Sequence, residues 1–77
     1  MKIHVQLYSV LRDKLPPEAK GRTTLKIDSG ATLTDLLAKL DINRKVVISV
    51  NEDHETDKTR RLQAGDVVKI FSSISGG

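Results

Sequence analysis

Apolar and polar residues alternate strictly from Lys2 to Tyr8, with Ile3, Val5 and Leu7 on one side and His4, Gln6 and Tyr8 on the other. A period of two places each set on one face of a strand, so this segment is predicted to be half buried. The alternation returns from Thr23 to Asp28 through Leu25 and Ile27 and stops at Ser29-Gly30, which predicts a second strand. Between the two, Leu11 and Leu15 stand four apart within Ser9 to Leu15, enough for one helical turn before Pro16-Pro17 ends it. Glu18 to Arg22 reads as a loop.

The period then changes. Leu33, Leu36, Leu37 and Leu40 fall at i, i+3, i+4 and i+7, a single apolar stripe that predicts the one long helix of the chain. Its start is marked by Thr32, whose hydroxyl can accept from an orphan backbone N–H, and by Asp35, which can return the bond. Val46-Val47-Ile48-Ser49-Val50 is dense in β-branched residues and predicts a well-buried strand ended by Asn51. The polar stretch from Glu52 to Arg61 suits a loop with a short edge strand. Gln63-Ala64-Gly65-Asp66 suits a turn into a last strand from Val67 to Ser72. If Val68 and Ile70 point inward, Val67, Lys69 and Phe71 point outward, on the side that also takes Tyr8 and Val47. The two aromatic residues of the chain then share the outer face.

Strand, strand, helix, strand, weak strand, strand is the order of an α+β domain, with the helix packed across one face of a mixed sheet. Among such arrangements the ubiquitin-like β-grasp is expected, since its first and last strands lie side by side in the sheet centre. Residues 1–77 are read as one such domain, with a flexible tail over 72–77.

Composition narrows the chemistry. Without cysteine, a disulfide framework, thiolate zinc ligation and a cysteine nucleophile are all excluded. Thirteen Lys and Arg face ten Asp and Glu, for a net charge of +3, and the signs are interspersed. The densest run, Lys58-Thr59-Arg60-Arg61, follows acids and reads as a solvated hairpin region. No aromatic series accompanies the basic residues, so no nucleic-acid partner is expected. His4 and His54 offer no metal-ligand spacing, and no metal is expected. No apolar run approaches a membrane span and no signal-type segment follows Met1, so no membrane partner is expected and the expected location is cytoplasmic. A scaffold this small favours a carrier or adaptor over an enzyme with its own cleft.

The ending concentrates what chemistry remains. The chain closes on Ile74-Ser75-Gly76-Gly77, and residues without Cβ atoms can thread a tunnel too narrow for a side chain. Fully extended, the segment from Ser72 to Gly77 spans roughly 20 Å, long enough to reach into a partner's active site.

Taken in order, Leu11-Arg12-Asp13, Gly30-Ala31-Thr32-Leu33-Thr34-Asp35-Leu36-Leu37, Val50-Asn51, Gly65-Asp66-Val67-Val68 and Phe71-Ser72-Ser73-Ile74-Ser75-Gly76-Gly77 resemble the ubiquitin-like sulfur-carrier family (MoaD/ThiS type). The resemblance spans nearly the whole chain and is closest to the molybdopterin synthase small-subunit branch. It departs from the family pattern at Asn51-Glu52, where Val-Asn-Gly is frequent, and at Ser72-Ser73, where Pro-Pro is frequent.

The resemblance implies a carrier that is itself a substrate. The Gly77 carboxylate would be adenylated by an E1-like enzyme that uses ATP. A cysteine desulfurase or rhodanese-type donor would then supply the sulfur that makes it a thiocarboxylate. The molybdopterin synthase large subunit would receive the tail, and no cofactor would be bound by the carrier itself. Gly76, Ser75, Ile74, Phe71, Tyr8 and Val47 are the expected partner-binding residues. A protein modifier joined through Gly77 to target lysines, or a sulfur carrier for thiamine or tRNA thiolation, would share the same activation step.

Overall fold

The computed structural model describes residues 1–72. Five strands form one mixed sheet: β1 (Lys2–Leu7), β2 (Arg22–Lys26), β3 (Val46–Val50), β4 (Asp53–Glu55) and β5 (Val67–Ser72), in the order β2-β1-β5-β3-β4. The first and last strands pair in parallel at the centre, from His4 opposite Val67 to Leu7 opposite Ile70. β5 also pairs antiparallel with β3, where Val47 stands opposite Phe71 and Ile48 opposite Ile70. This is the expected α+β, ubiquitin-like β-grasp arrangement.

One helix, α1 (Leu33–Lys39), covers a single face of the sheet. Leu33, Leu36, Leu37 and Leu40 are buried with Ile3, Val5, Leu7, Ile48, Val50, Val68 and Ile70 in one cluster. The stripe read from the sequence therefore meets the inward half of each alternating strand. Thr32 and Asp35 form the reciprocal cap: the Asp35 N–H donates to the Thr32 hydroxyl at 3.3 Å and the Thr32 N–H to the Asp35 carboxylate at 2.9 Å.

The helix ends where the stripe does, with Leu40 as its C-cap, and the residues after it build the stop. Asp41 enters the left-handed region at φ 57°. Its N–H then donates to Ala38 O at 3.1 Å and the Ile42 N–H to Leu37 O at 2.9 Å. That pair of bonds is a Schellman stop, made here without the usual glycine and sealed by buried Ile42.

Two short 3-10 helices, Ser9–Lys14 and Pro17–Ala19, connect β1 to β2. The first takes the place of the expected helical turn and drops Leu11 into the core. The second occupies part of the segment read as loop, because Pro17 has its φ already set for a first helical position. β2 accordingly begins at Arg22, one residue earlier than its alternation indicates. Gly21 returns the chain at φ +79°, and a Cβ there would stand 2.5 Å from Leu7 O, so only glycine fits this crossing.

Candidate functional site

The sheet face opposite α1 is left open, and it is built from the outward half of the same alternation. Three rows cross it. Arg22, Gln6, Lys69, Ser49 and His54 stand in register from β2 to β4. Toward one end lie Thr24, His4 and Val67. Toward the other lie Tyr8, which directly follows β1, and the opposed pair Phe71 and Val47.

Tyr8 and Phe71 are stacked, with ring centroids 4.2 Å apart and planes 12° from parallel. The Tyr8 N–H donates to Ile70 O at 3.2 Å, which extends the β1–β5 ladder by one residue and carries the phenol ring over β5. Phe71 keeps 36% of its surface exposed and Val47 44%. Exposed apolar residues that adjoin one another, with an aromatic among them, are what a docking surface requires. Tyr8, Phe71 and Val47 are thus brought together on one outer patch. Ile74, Ser75, Gly76 and Gly77, the remaining residues singled out in the sequence, lie outside the described residues.

Charge around the patch is arranged by register. Lys69 donates to Glu52 at 2.7 Å, and this carboxylate holds the ammonium above its ordinary pKa. Glu52 reaches Lys69 because it occupies, with Asn51, a two-residue turn in which both have positive φ, 52° and 74°. Primed hairpin turns of this kind favour Asn-Gly. Where the family that the sequence resembles often has glycine, this chain has a residue that uses its side chain on the open face.

The motifs Val50-Asn51 and Gly65-Asp66-Val67-Val68 meet in space, a pairing that sequence reasoning missed. The Asn51 amide donates to Asp66 Oδ1 at 2.9 Å, and Asn51 Oδ1 accepts from the Val67 N–H at 2.9 Å. The second Asp66 oxygen accepts from the Gln63 N–H at 2.8 Å. Asp66 is buried, and these bonds satisfy it while fixing where β5 starts. A turn acid directly after Gly65 was the available signal, but its partner lies on another strand.

The basic run Lys58 to Arg61 is tied to the start of α1. Backbone carbonyls of Lys58 and Arg60 accept from the Thr34 and Leu33 N–H groups at 3.0 and 3.2 Å, and the Arg60 guanidinium pairs with Glu55 at 2.9 Å. Its role among the described residues is to cap a helix. No helix among the described residues is long and apolar enough to cross a membrane.

Comparison with known proteins follows the same lines. The fold is similar to small archaeal modifier protein 1 of Haloferax volcanii, with 16% identity, 95% of this chain and 98% of that one covered, and a TM-score of 0.74. It is similar to a protein of Pyrococcus furiosus assigned as molybdopterin converting factor subunit 1, with 19% identity, coverage of 96% and 99%, and a TM-score of 0.77. A structure of the complex between subunits 1 and 2 of the molybdopterin-converting factor of Helicobacter pylori also matches, with 18% identity, full coverage of both chains and a TM-score of 0.67. No curated protein sequence matches the chain. The sequence model of the ThiS family matches residues 5–77, nearly the whole length and including both closing glycines, so the chain belongs to the ThiS family.

Proposed function

We propose that this protein is a sulfur carrier whose Gly77 carboxylate is adenylated by an E1-like enzyme and converted to a thiocarboxylate, for use in molybdopterin biosynthesis in the cytoplasm. The observation that carries the reading is the ThiS-family match running through Gly76-Gly77. The chemistry follows from the carboxylate. Resonance and negative charge make it a poor electrophile, so an oxygen of Gly77 first attacks the α-phosphate of ATP and pyrophosphate leaves. The terminal sulfur of a persulfide, supplied by a cysteine desulfurase or rhodanese-type donor, then displaces AMP. Thiol reduction of the resulting acyl disulfide frees the thiocarboxylate.

The carrier is a substrate in this scheme and holds no cofactor; ATP belongs to the activating enzyme. Its globular part contributes recognition, through Phe71, Tyr8 and Val47, and its tail contributes reach, through Ile74, Ser75 and Gly76. The two-subunit complex from Helicobacter pylori supports a large synthase subunit as the receiving partner.

Mass spectrometry after incubation with an activating enzyme, ATP and a sulfur donor is expected to show one oxygen replaced by sulfur at Gly77. Sulfur elsewhere, or none, refutes the reading. Gly76→Val is expected to abolish loading while leaving the melting temperature unchanged, because the glycine serves by lacking a side chain.

A second reading is favoured by the likeness to small archaeal modifier protein 1. A lysine amine of a target protein would then attack the same activated carbonyl and form an isopeptide bond. Branched Gly-Gly peptides on lysines of cellular proteins distinguish it from a carrier that yields thiocarboxylate alone.

A further inference from the structure

Beside the aromatic patch, a cavity of about 370 Å³ is lined by Arg12, Lys20 and Arg22 together with Gln6, Leu7, Tyr8 and Ala19. Three cations of one sign line it, and all three are exposed. None forms an ion pair among the described residues, whereas Lys14, Arg60 and Lys69 each have a carboxylate partner. Asp13 and Glu18, the nearest acids along the chain, do not come within ion-pair distance of them.

The fold builds this cluster from distant pieces. Arg12 comes from the first 3-10 helix, Lys20 from the left-handed residue that ends the second, at φ 54°, and Arg22 from the first position of β2. Gly21 lets the pieces close up. A Cβ at that position would stand 3.1 and 3.2 Å from Arg12 Cγ and Nε, so the arginine stem lies directly against the glycine backbone. A side chain held in this way loses less freedom when it binds.

Because Tyr8 lines the cavity and also stacks on Phe71, the basic cavity and the apolar patch are one continuous surface at the end of β5. We infer that this surface docks a protein partner which presents a carboxylate-bearing segment to Arg12, Lys20 and Arg22 while Phe71 and Val47 enter an apolar site beside it. Guanidinium forks match carboxylates in bidentate geometry. The cations are exposed and the cavity is open, so the site does not enclose a small anion by itself; the partner brings both the negative charge and the exclusion of water. Charge complementarity of this type sets approach and register, and it is sensitive to salt.

The inference rests on the sulfur-carrier reading, in which the first such partner is the activating enzyme. Its test is ATP–pyrophosphate exchange by the E1-like enzyme of the same organism, with the full chain as the varied substrate. The double variant Arg12→Glu/Arg22→Glu is expected to raise KM for the carrier about tenfold to a hundredfold with kcat within about twofold. Arg12→Lys/Arg22→Lys is expected to stay within a fewfold of wild type. Added salt is expected to raise the wild-type KM steeply and that of the double-Glu variant little. Melting curves of both variants accompany the assay, so that only folded protein is compared.

A wild-type KM in the folded double-Glu variant, or a wild-type KM indifferent to salt, overturns the assignment while leaving loading at Gly77 in place. Salt-sensitive binding of a single-stranded RNA oligonucleotide that is lost in the same variant, with KM unmoved, overturns it in favour of a nucleic acid. Failure of the enzyme to load the wild-type chain at all removes the sulfur-carrier reading, and this assignment falls with it.

Discussion

The two faces of the sheet are drawn from the same strands and differ in almost every physical respect. Ile70 and Phe71 are neighbours in β5, yet Ile70 is fully buried under α1 while Phe71 keeps a third of its surface in water. The covered face is aliphatic and closed by Leu33, Leu36 and Leu37. The open face carries the stacked aromatic pair, a matched charge pair at Glu52 and Lys69, and unmatched cations toward β2. One face accounts for stability and the other is available for recognition, and a period of two keeps them apart.

Substitution at those two neighbours tests the division most sharply. Ile70→Ala is expected to cost about 3 kcal/mol of folding stability, as a truncated core residue leaves a cavity that packing cannot close, measured by urea denaturation. Phe71→Ala is expected to cost only about 1 kcal/mol, the worth of an aromatic pair and partial burial. Under the proposed function its main effect is expected to be weaker binding of the activating enzyme, by about tenfold in titration calorimetry. Equal stability losses at the two positions contradict the division.

Smaller effects sharpen it. Lys2 and Lys26 stand directly opposite each other on β1 and β2, a repulsive pair on the open side of the sheet. Lys26→Glu is expected to stabilise the fold by about 0.5 kcal/mol, and the gain shrinks in high salt. A large gain there gives the open face more weight in folding than its exposure implies.

The smallest expected effect is that of pH. The Arg60 guanidinium, and after it the Asp57 N–H, hold Glu55 below its ordinary value of 4.5. Its contribution is therefore present above pH 4.5 and lost as pH falls through the lower folded value. Lys69, held above 10.5 by Glu52, contributes below that pH and loses its contribution as pH rises through the higher folded value. Both groups are half-buried and still reach solvent, which screens their pairs, so melting temperature is expected to be nearly flat from about pH 6 to 9 and to bend only gently outside it.

Much of this was legible in the residues themselves. Alternation at Ile3, Val5 and Leu7 and at Val68 and Ile70 assigned both faces, and Thr32 with Asp35 marked the helix start, because each signal is local. The stripe ends at Leu40, where the helix stops, but the form of the stop was not legible, since it depends on Asp41 accepting a left-handed conformation that glycine ordinarily takes. The second 3-10 helix and the Asn51–Asp66 pair were missed for a related reason, since close packing around Gly21 and between strands decides them. Arg12 and Arg22 stand ten positions apart and converge only through the β1–β2 crossing, so along the chain they look like any other solvated cations.

The parallel pairing of β1 with β5 has a mechanical consequence. A pull applied beyond Ser72 against an anchored amino-terminal strand drags β5 lengthwise along both of its neighbours. The hydrogen bonds to β1 and β3 must then yield together and cannot be peeled away singly. Load on that end of the sheet is therefore shared by two ladders at once.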